Sequence, residues 1–186
     1  MAMPAPSRRW TRDEVLALPD DRMRYELVDG ELLVTPSPRA LHQLAVTALM
    51  QEIGPFVRTH GVGYLLSSPA DLEIRPGELY QPDLFVVPTA AGRRPRLWAD
   101  FLTPLLVVEI SSPGTARYDR VIKRPAFQGA GVAEFWIVDI DARLVERWRP
   151  ADARPEILID RLVWTPPGAT AGLELDLVAF FSTLLD

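Results

Sequence analysis

The stretch Pro104 to Lys123, PLLVVEISSPGTARYDRVIK, constrains this chain more than any other. Leu105 to Val108 is an apolar, partly β-branched run of the kind found in strands buried on both faces, and Glu109 follows with Ile110 directly behind it. An ionised carboxylate held away from water costs on the order of several kcal/mol unless a cation, a metal or a set of donors compensates it. A fold that buries this strand must therefore give Glu109 a partner.

One candidate partner lies downstream at Lys123. Of the 20 basic residues, 19 are Arg and Lys123 is the single Lys. A composition so biased fills tolerant surface sites with Arg, so the surviving ammonium points to a need for a compact, titratable point charge that a guanidinium cannot imitate. The bland alternative is a solvated helix residue that is Lys by chance.

At 186 residues the chain fits one domain, expected over 11–186 behind a flexible arm of residues 1–10. Hydrophobic residues make up 48% and charged residues 24%, which suits a globular protein and argues against disorder. No apolar run approaches the ~20 residues of a membrane span, and the start, MAMPAPSRRW, lacks the apolar stretch of a secretion signal, so a cytoplasmic protein without membrane contact is expected. With no Cys, disulfides, thiol nucleophiles and zinc–thiolate sites are excluded. The net charge of -5 and pI near 5.1 argue against nucleic-acid binding by bulk electrostatics. Such contacts would need local clusters: Arg93, Arg94 and Arg96, or Arg117, Arg120, Lys123 and Arg124, which are otherwise solvated charges.

Along the chain, Thr11 and Glu14 form a capping box opening a short helix that Pro19 stops. YELVDGELLVT is two alternating runs around Asp29-Gly30, the signature of a type I′ hairpin. Glu26 in its first strand faces either solvent, the commoner outcome, or the site. Ser37-Pro38 reads as N-cap and N1 of a helix with an apolar stripe at Leu41, Leu44, Ala45, Ala48, Leu49 and Ile53, with Gly54-Pro55 as a kink or end and a last turn reaching Gly61. His42 in its first turn is more often a cap or surface residue than a ligand.

Strands are expected at 64–67, 71–75 and 79–87, the last holding Pro82 and Asp83 ahead of the buried run Leu84 to Val87. Asp83 is thus a second carboxylate at the edge of a buried strand, or else the cap of a turn. Residues 89–99 read as a loop. After the central strand, SSPGTARYDR forbids regular structure until about Asp119, where a helix would set Asp119 and Lys123 at i and i+4 on one face, with Pro125 kinking it or marking its true start. EFWIVD is another buried strand, 143–149 an outer strand and 156–164 a further one.

Several sites are absent: a dinucleotide loop, since Gly129-Ala130-Gly131 precedes a strand; a G-x-x-x-x-G-K-[ST] loop; and a G-x-S-x-G elbow. The two histidines, His42 and His60, make a poor zinc site. Carboxylate chemistry remains. Asp83 and Glu109 fall on strands that would neighbour one another, and paired acids repel unless they share a proton or a divalent cation. Oxygen ligands suit Mg²⁺ or Mn²⁺, with positions left for water and a phosphate, and a nearby lysine would orient or deprotonate the attacking water. Phosphodiester cleavage is the natural output.

The ordered blocks Y-E-L-V-D-G-E-L, Q-P-D-L, V-V-E-I-S-S-P, D-x-x-x-K and G-V-A-E-F-W-I-V-D resemble the Uma2 family, grouped with the PD-(D/E)XK restriction-endonuclease-like nucleases. The likeness runs from about Thr11 to the C-terminus. It implies an α/β fold, a restriction-endonuclease-like mixed β-sheet core flanked by helices with an N-terminal β-hairpin, and a Mg²⁺ (or Mn²⁺) site from Asp83 and Glu109. In the usual nuclease motif the Lys stands two residues after the second acid, where this chain has Ser111. The resemblance implies that Lys123 takes that place, with Asp119 near it.

The expected protein is therefore a Mg²⁺-dependent endonuclease acting on DNA, a homodimer by family analogy, with Asp83, Glu109 and Lys123 in the site and Glu26, His42, Ser111 and Asp119 in support. Two rivals stand beside it: a catalytically silent scaffold of the same fold, and a glycoside hydrolase using Asp83 and Glu109 as acid and base.

Overall fold

The two alternating runs around Asp29-Gly30 fold as the hairpin their turn dictates. In the computed structural model, β1 (Arg24–Val28) pairs antiparallel with β2 (Glu31–Thr35), and Asp29 and Gly30 take φ angles of 49° and 79°, both positive as a type I′ turn requires. The structure describes residues 8–21, 23–35, 38–88, 95–96 and 100–185. They form two units, Met1–Ser37 with Pro69–Gln81, and Pro38–Ser68 with Pro82–Asp186.

The first unit holds the hairpin and α1 (Arg12–Leu16), whose Thr11 side chain and Glu14 carboxylate cap each other's backbone as the sequence predicts. Val15, Leu27 and Leu79 form its small core, with Trp10, Leu18, Tyr25 and Leu32 packed around them. The strand expected over 71–75 does not form. Leu72 and Tyr80 exchange backbone hydrogen bonds, but between them Glu78 N–H bonds to Arg75 O and the Glu73 carboxylate accepts from Gly77 N–H, so the chain is spent on a tight turn.

The second unit is built on a six-stranded sheet in the order β3 (Tyr64–Ser67), β4 (Leu84–Val87), β5 (Leu106–Ser111), β6 (Glu134–Asp139), β7 (Leu144–Trp148), β8 (Glu156–Leu158). Only β5 and β6 run parallel; the other pairs are antiparallel. A parallel pair needs a crossover, supplied here by α3 (Ala116–Tyr118), a π-helical turn over Asp119–Lys123, and α4 (Arg124–Gly129). Regular structure thus begins at Ala116, earlier than expected, because Thr115 N–H and Ala116 N–H both bond to Ser112 O and start the turn. Gly63 allows β3 to lie beside β4: its φ is 153°, and a Cβ there would fall on the Val87 carbonyl.

Helix α2 (Ala40–His60) buries Ala45, Val46, Leu49, Ile53 and Val57, while Leu44 of the predicted stripe faces solvent. It starts at Ala40 with Arg39 as an extended N-cap, later than the Ser37-Pro38 expectation; Ser37 lies outside the described residues. Pro55 does not end it: the helix continues through His60 to Gly61 in the left-handed conformation. Pro55 and Gln51, whose carbonyl its missing N–H would have served, are both exposed, so water can take that bond.

Leu84, Val86, Leu106, Val108, Ile110, Trp136, Val138 and Val145 turn one face of the sheet into the main core against α2, together with Leu177 and Phe181 of α5 (Leu177–Leu185). The expected outer strand over 143–149 is instead covered: β8 takes the edge, and β7 is buried along most of its length. Residues 156–164 divide between β8 and β9 (Arg161–Trp164), which joins β10 (Leu173–Asp176) in a separate hairpin. Pro82 shortens the 79–87 strand to Leu84–Val87. Of the 89–99 loop only Pro95 and Arg96 lie within the described residues. No helix among the described residues is long and apolar enough to cross a membrane.

Candidate active site

The β4–β5 register brings the two acids together. Leu84 lies opposite Val108 and Phe85 opposite Val107, and the same register carried one residue further sets Asp83 opposite Glu109. Strand alternation turns Glu109 away from the Leu106, Val108, Ile110 side, onto the face crossed by the π turn. Both carboxylates are buried.

Each is held by specific donors. Asp83 Oδ2 accepts the Ile110 backbone N–H at 2.8 Å and lies 3.0 Å from His42 Nε2. His42 is therefore not the surface or capping residue that its position in a first helical turn suggests; α2 carries it to Asp83. Glu109 Oε1 accepts from Lys123 Nζ at 2.9 Å, and that ammonium is itself buried. Asp119 Oδ1 stands 3.9 Å from Lys123 Nζ, and the Tyr118 ring centroid 5.6 Å from it, within cation–π range. The fourteen-residue gap between Glu109 and Lys123 is closed to one hydrogen bond.

The π turn is tied back to the sheet by a residue the sequence presented only as a surface charge. Arg120 Nη2 lies 2.7 Å from Glu146 Oε1 on β7 and 3.4 Å from Asp139 Oδ2 at the end of β6, and the Glu146 carboxylate raises the guanidinium pKa above its ordinary value against the cost of burial. Arg124 stacks over Trp148 at 4.5 Å and bonds Gln128. The expected basic patch after the central strand thus dissolves into internal pairs, with Arg117 left exposed. Arg93 and Arg94 lie outside the described residues; Arg96 is exposed and its N–H bonds Asp100. Glu146 had one visible signal, a carboxylate between Val145 and Arg147 in an alternating strand.

Glu26 belongs to the hairpin unit. It is buried rather than solvent-facing, and its carboxylate accepts the Gln81 N–H at 2.8 Å, because the 69–81 segment covers that side of β1.

A family profile described as "Putative restriction endonuclease", Uma2, matches residues 12–178. The chain belongs to the Uma2 family. Among solved structures it is similar to a crystal structure described as "a putative nuclease belonging to DUF820 from Anabaena variabilis ATCC 29413", with 26% sequence identity and a TM-score of 0.74 over 94% of this chain and 99% of that one. No curated protein matches it.

In this Uma2 chain the position two residues after the second acid is Ser111, the half-buried last residue of β5, opposite Asp139. The ammonium arrives instead from the π turn. Glu109 and Asp119 flank the buried Lys123 ammonium, while Asp83, across the strand register from Glu109, meets His42; all three carboxylates are buried. Among the described residues no three His, Cys, Asp or Glu side chains form a ready-made metal cage. A pair of carboxylates is what Mg²⁺ commonly takes from a protein, keeping its other positions for water and phosphate, and a carboxylate has lone pairs enough to accept a hydrogen bond and bind an ion together. The donor set therefore fits a hard divalent cation.

Proposed function

We propose that this Uma2 protein is a Mg²⁺-dependent endonuclease, able also to use Mn²⁺, that hydrolyses phosphodiester bonds in DNA. The observation that carries the reading is the ion pair of the single lysine with Glu109, which the β4–β5 register sets opposite Asp83. Asp83 and Glu109 would hold the ion, which when bound polarises a phosphoryl oxygen and lowers the pKa of a coordinated water. Lys123 donates a hydrogen bond that orients the attacking water and offsets charge gathering on the phosphoryl oxygens. His42 and Ile110 N–H steady the Asp83 carboxylate, Asp119 and Tyr118 steady Lys123, and Ser111 ends the strand that presents Glu109. Water adds to phosphorus as the P–O bond to the leaving oxygen breaks; the attacking water gives a proton to solvent, and the leaving oxygen takes one from solvent to become a hydroxyl. DNA as substrate and a homodimer enter this reading from the family resemblance; a cytoplasmic location and a single functional domain over 11–186 enter it as expectations from the hydropathy and length of the sequence.

Supercoiled plasmid incubated with purified protein, with and without Mg²⁺, tests it. Nicking or linearisation should require the ion and drop by at least about 100-fold in Asp83→Ala and Glu109→Ala; cleavage unchanged in both variants removes these residues from the site.

A second reading has an observation of its own. The Lys123–Glu109 pair is closed and buried, which suits a fold that keeps these charges for structure alone. Calorimetry with Mn²⁺ separates the two, since a silent scaffold has no reason to take up metal in a manner sensitive to Asp83 and Glu109. A glycoside hydrolase would need no lysine, so Lys123→Met would spare its turnover.

A further inference from the structure

One helical turn inverts the ordinary rule of burial. Asp119 and Lys123 are each 2% exposed, whereas Val121 and Ile122 between them are 54% and 38% exposed. Side-chain preference alone would turn the aliphatics inward and the charges out. The backbone overrides it. Arg124 N–H bonds to Asp119 O, five residues back, so the turn is π-helical.

Pro125 follows at once, at the start of α4. In an unbroken α-helix its ring would meet the Val121 carbonyl four residues earlier, and it has no N–H to offer that carbonyl. A π turn holds one residue more than an α turn, and one residue amounts to ~100° of rotation about the helix axis. Both flanks are anchored. Phe127 of α4 is fully buried and stacks on Phe135 at 5.4 Å, and on the other side Arg120 grips Glu146 while Asp119 N–H bonds Thr115 O. The extra rotation is absorbed within the turn, where it decides which side chains face Glu109.

We infer that Pro125 is a positioning residue: by holding the π turn open it aims the Lys123 ammonium at Glu109 and leaves Val121 and Ile122 outside. Its catalytic consequence rests on the proposed role of Lys123; its structural content does not. In Pro125→Ala the steric block is gone and an N–H is restored. The turn then closes to α, Lys123 swings off Glu109, and the aliphatics move inward.

Lys123 is the single lysine of the chain, so acetylation by an amine-directed reagent, read by mass spectrometry on the peptide containing residue 123, reports on this side chain alone. Pro125→Ala should be acetylated at Lys123 about tenfold faster than wild type or more. Combining Pro125→Ala with deletion of Ile122 removes both the block and the extra residue, so a straight α-helix keeps its flanks in phase and protection returns to the wild-type rate. Unchanged protection in Pro125→Ala overturns the inference. So does continued fast labelling in the combined variant, since a merely loosened fold would not be rescued by a deletion. With Mg²⁺ and plasmid, kcat should fall about 100-fold in Pro125→Ala with KM little changed, and recover in the combined variant. If the labelling follows this pattern while no protein cleaves DNA, the positioning role stands and the nuclease reading falls.

Discussion

The two faces of β5 are opposite environments made by one strand. Leu106, Val108 and Ile110 pack with Ala45, Leu49 and Ile53 of α2 in an apolar cluster, whereas Glu109 turns to the other face and meets Lys123. Each covering helix contains a proline. Pro55 sits on the exposed side of α2, and the helix runs through it; Pro125 follows a turn whose charges are buried, and the helix widens there to π. The apolar face owes its stability to area removed from water, which is non-directional and tolerant of small shifts. The charged face depends on partners, so each group is favourable only while the others are in place.

The sharpest way to break that contrast is to remove one partner. Lys123→Ala leaves Glu109 and Asp119 buried without their ammonium and should cost ~3–5 kcal/mol in urea denaturation, whereas Glu109→Gln with Lys123→Met should return to within about 1 kcal/mol of wild type or exceed it. A single variant as stable as wild type would mean that the pair does not hold this face. On the apolar side, Ile53→Ala should cost ~2–4 kcal/mol through its cavity, with Mn²⁺ uptake measured by calorimetry unchanged. Loss of metal uptake there would show the faces to be coupled.

Arg120→Ala tests the tie between the π turn and the sheet. It strands the buried Glu146 carboxylate and should lower stability by ~1–3 kcal/mol, with faster acetylation of Lys123 as the second readout. The smallest effect concerns Glu134, which accepts from Trp136 Nε1 at the margin of the apolar cluster and whose pKa is raised above 4.5 by burial. A carboxyl with a raised folded pKa binds its proton more tightly in the folded state. Its contribution is most favourable below 4.5 and is lost as pH rises through the folded value. Glu134→Gln should flatten that slope in urea midpoints measured across the acid range; an unchanged slope would assign the pH dependence elsewhere.

What the sequence determined by itself was local or periodic. Asp29-Gly30 demanded its hairpin, Thr11 and Glu14 their capping box, and the apolar run before Glu109 a buried strand, because these depend on dihedral preferences and on neighbours a few residues away. It also singled out Asp83, Glu109 and the one lysine, since a charge at the edge of a buried strand is conspicuous in any fold. Tertiary structure alone decided the partners. That His42 reaches Asp83, that Glu26 is buried against Gln81 and that Arg120 grips Glu146 all require segments distant in sequence to settle into register. A side chain's propensity is written at its own position, but the energy of burying its charge depends on which groups the fold brings within hydrogen-bonding distance.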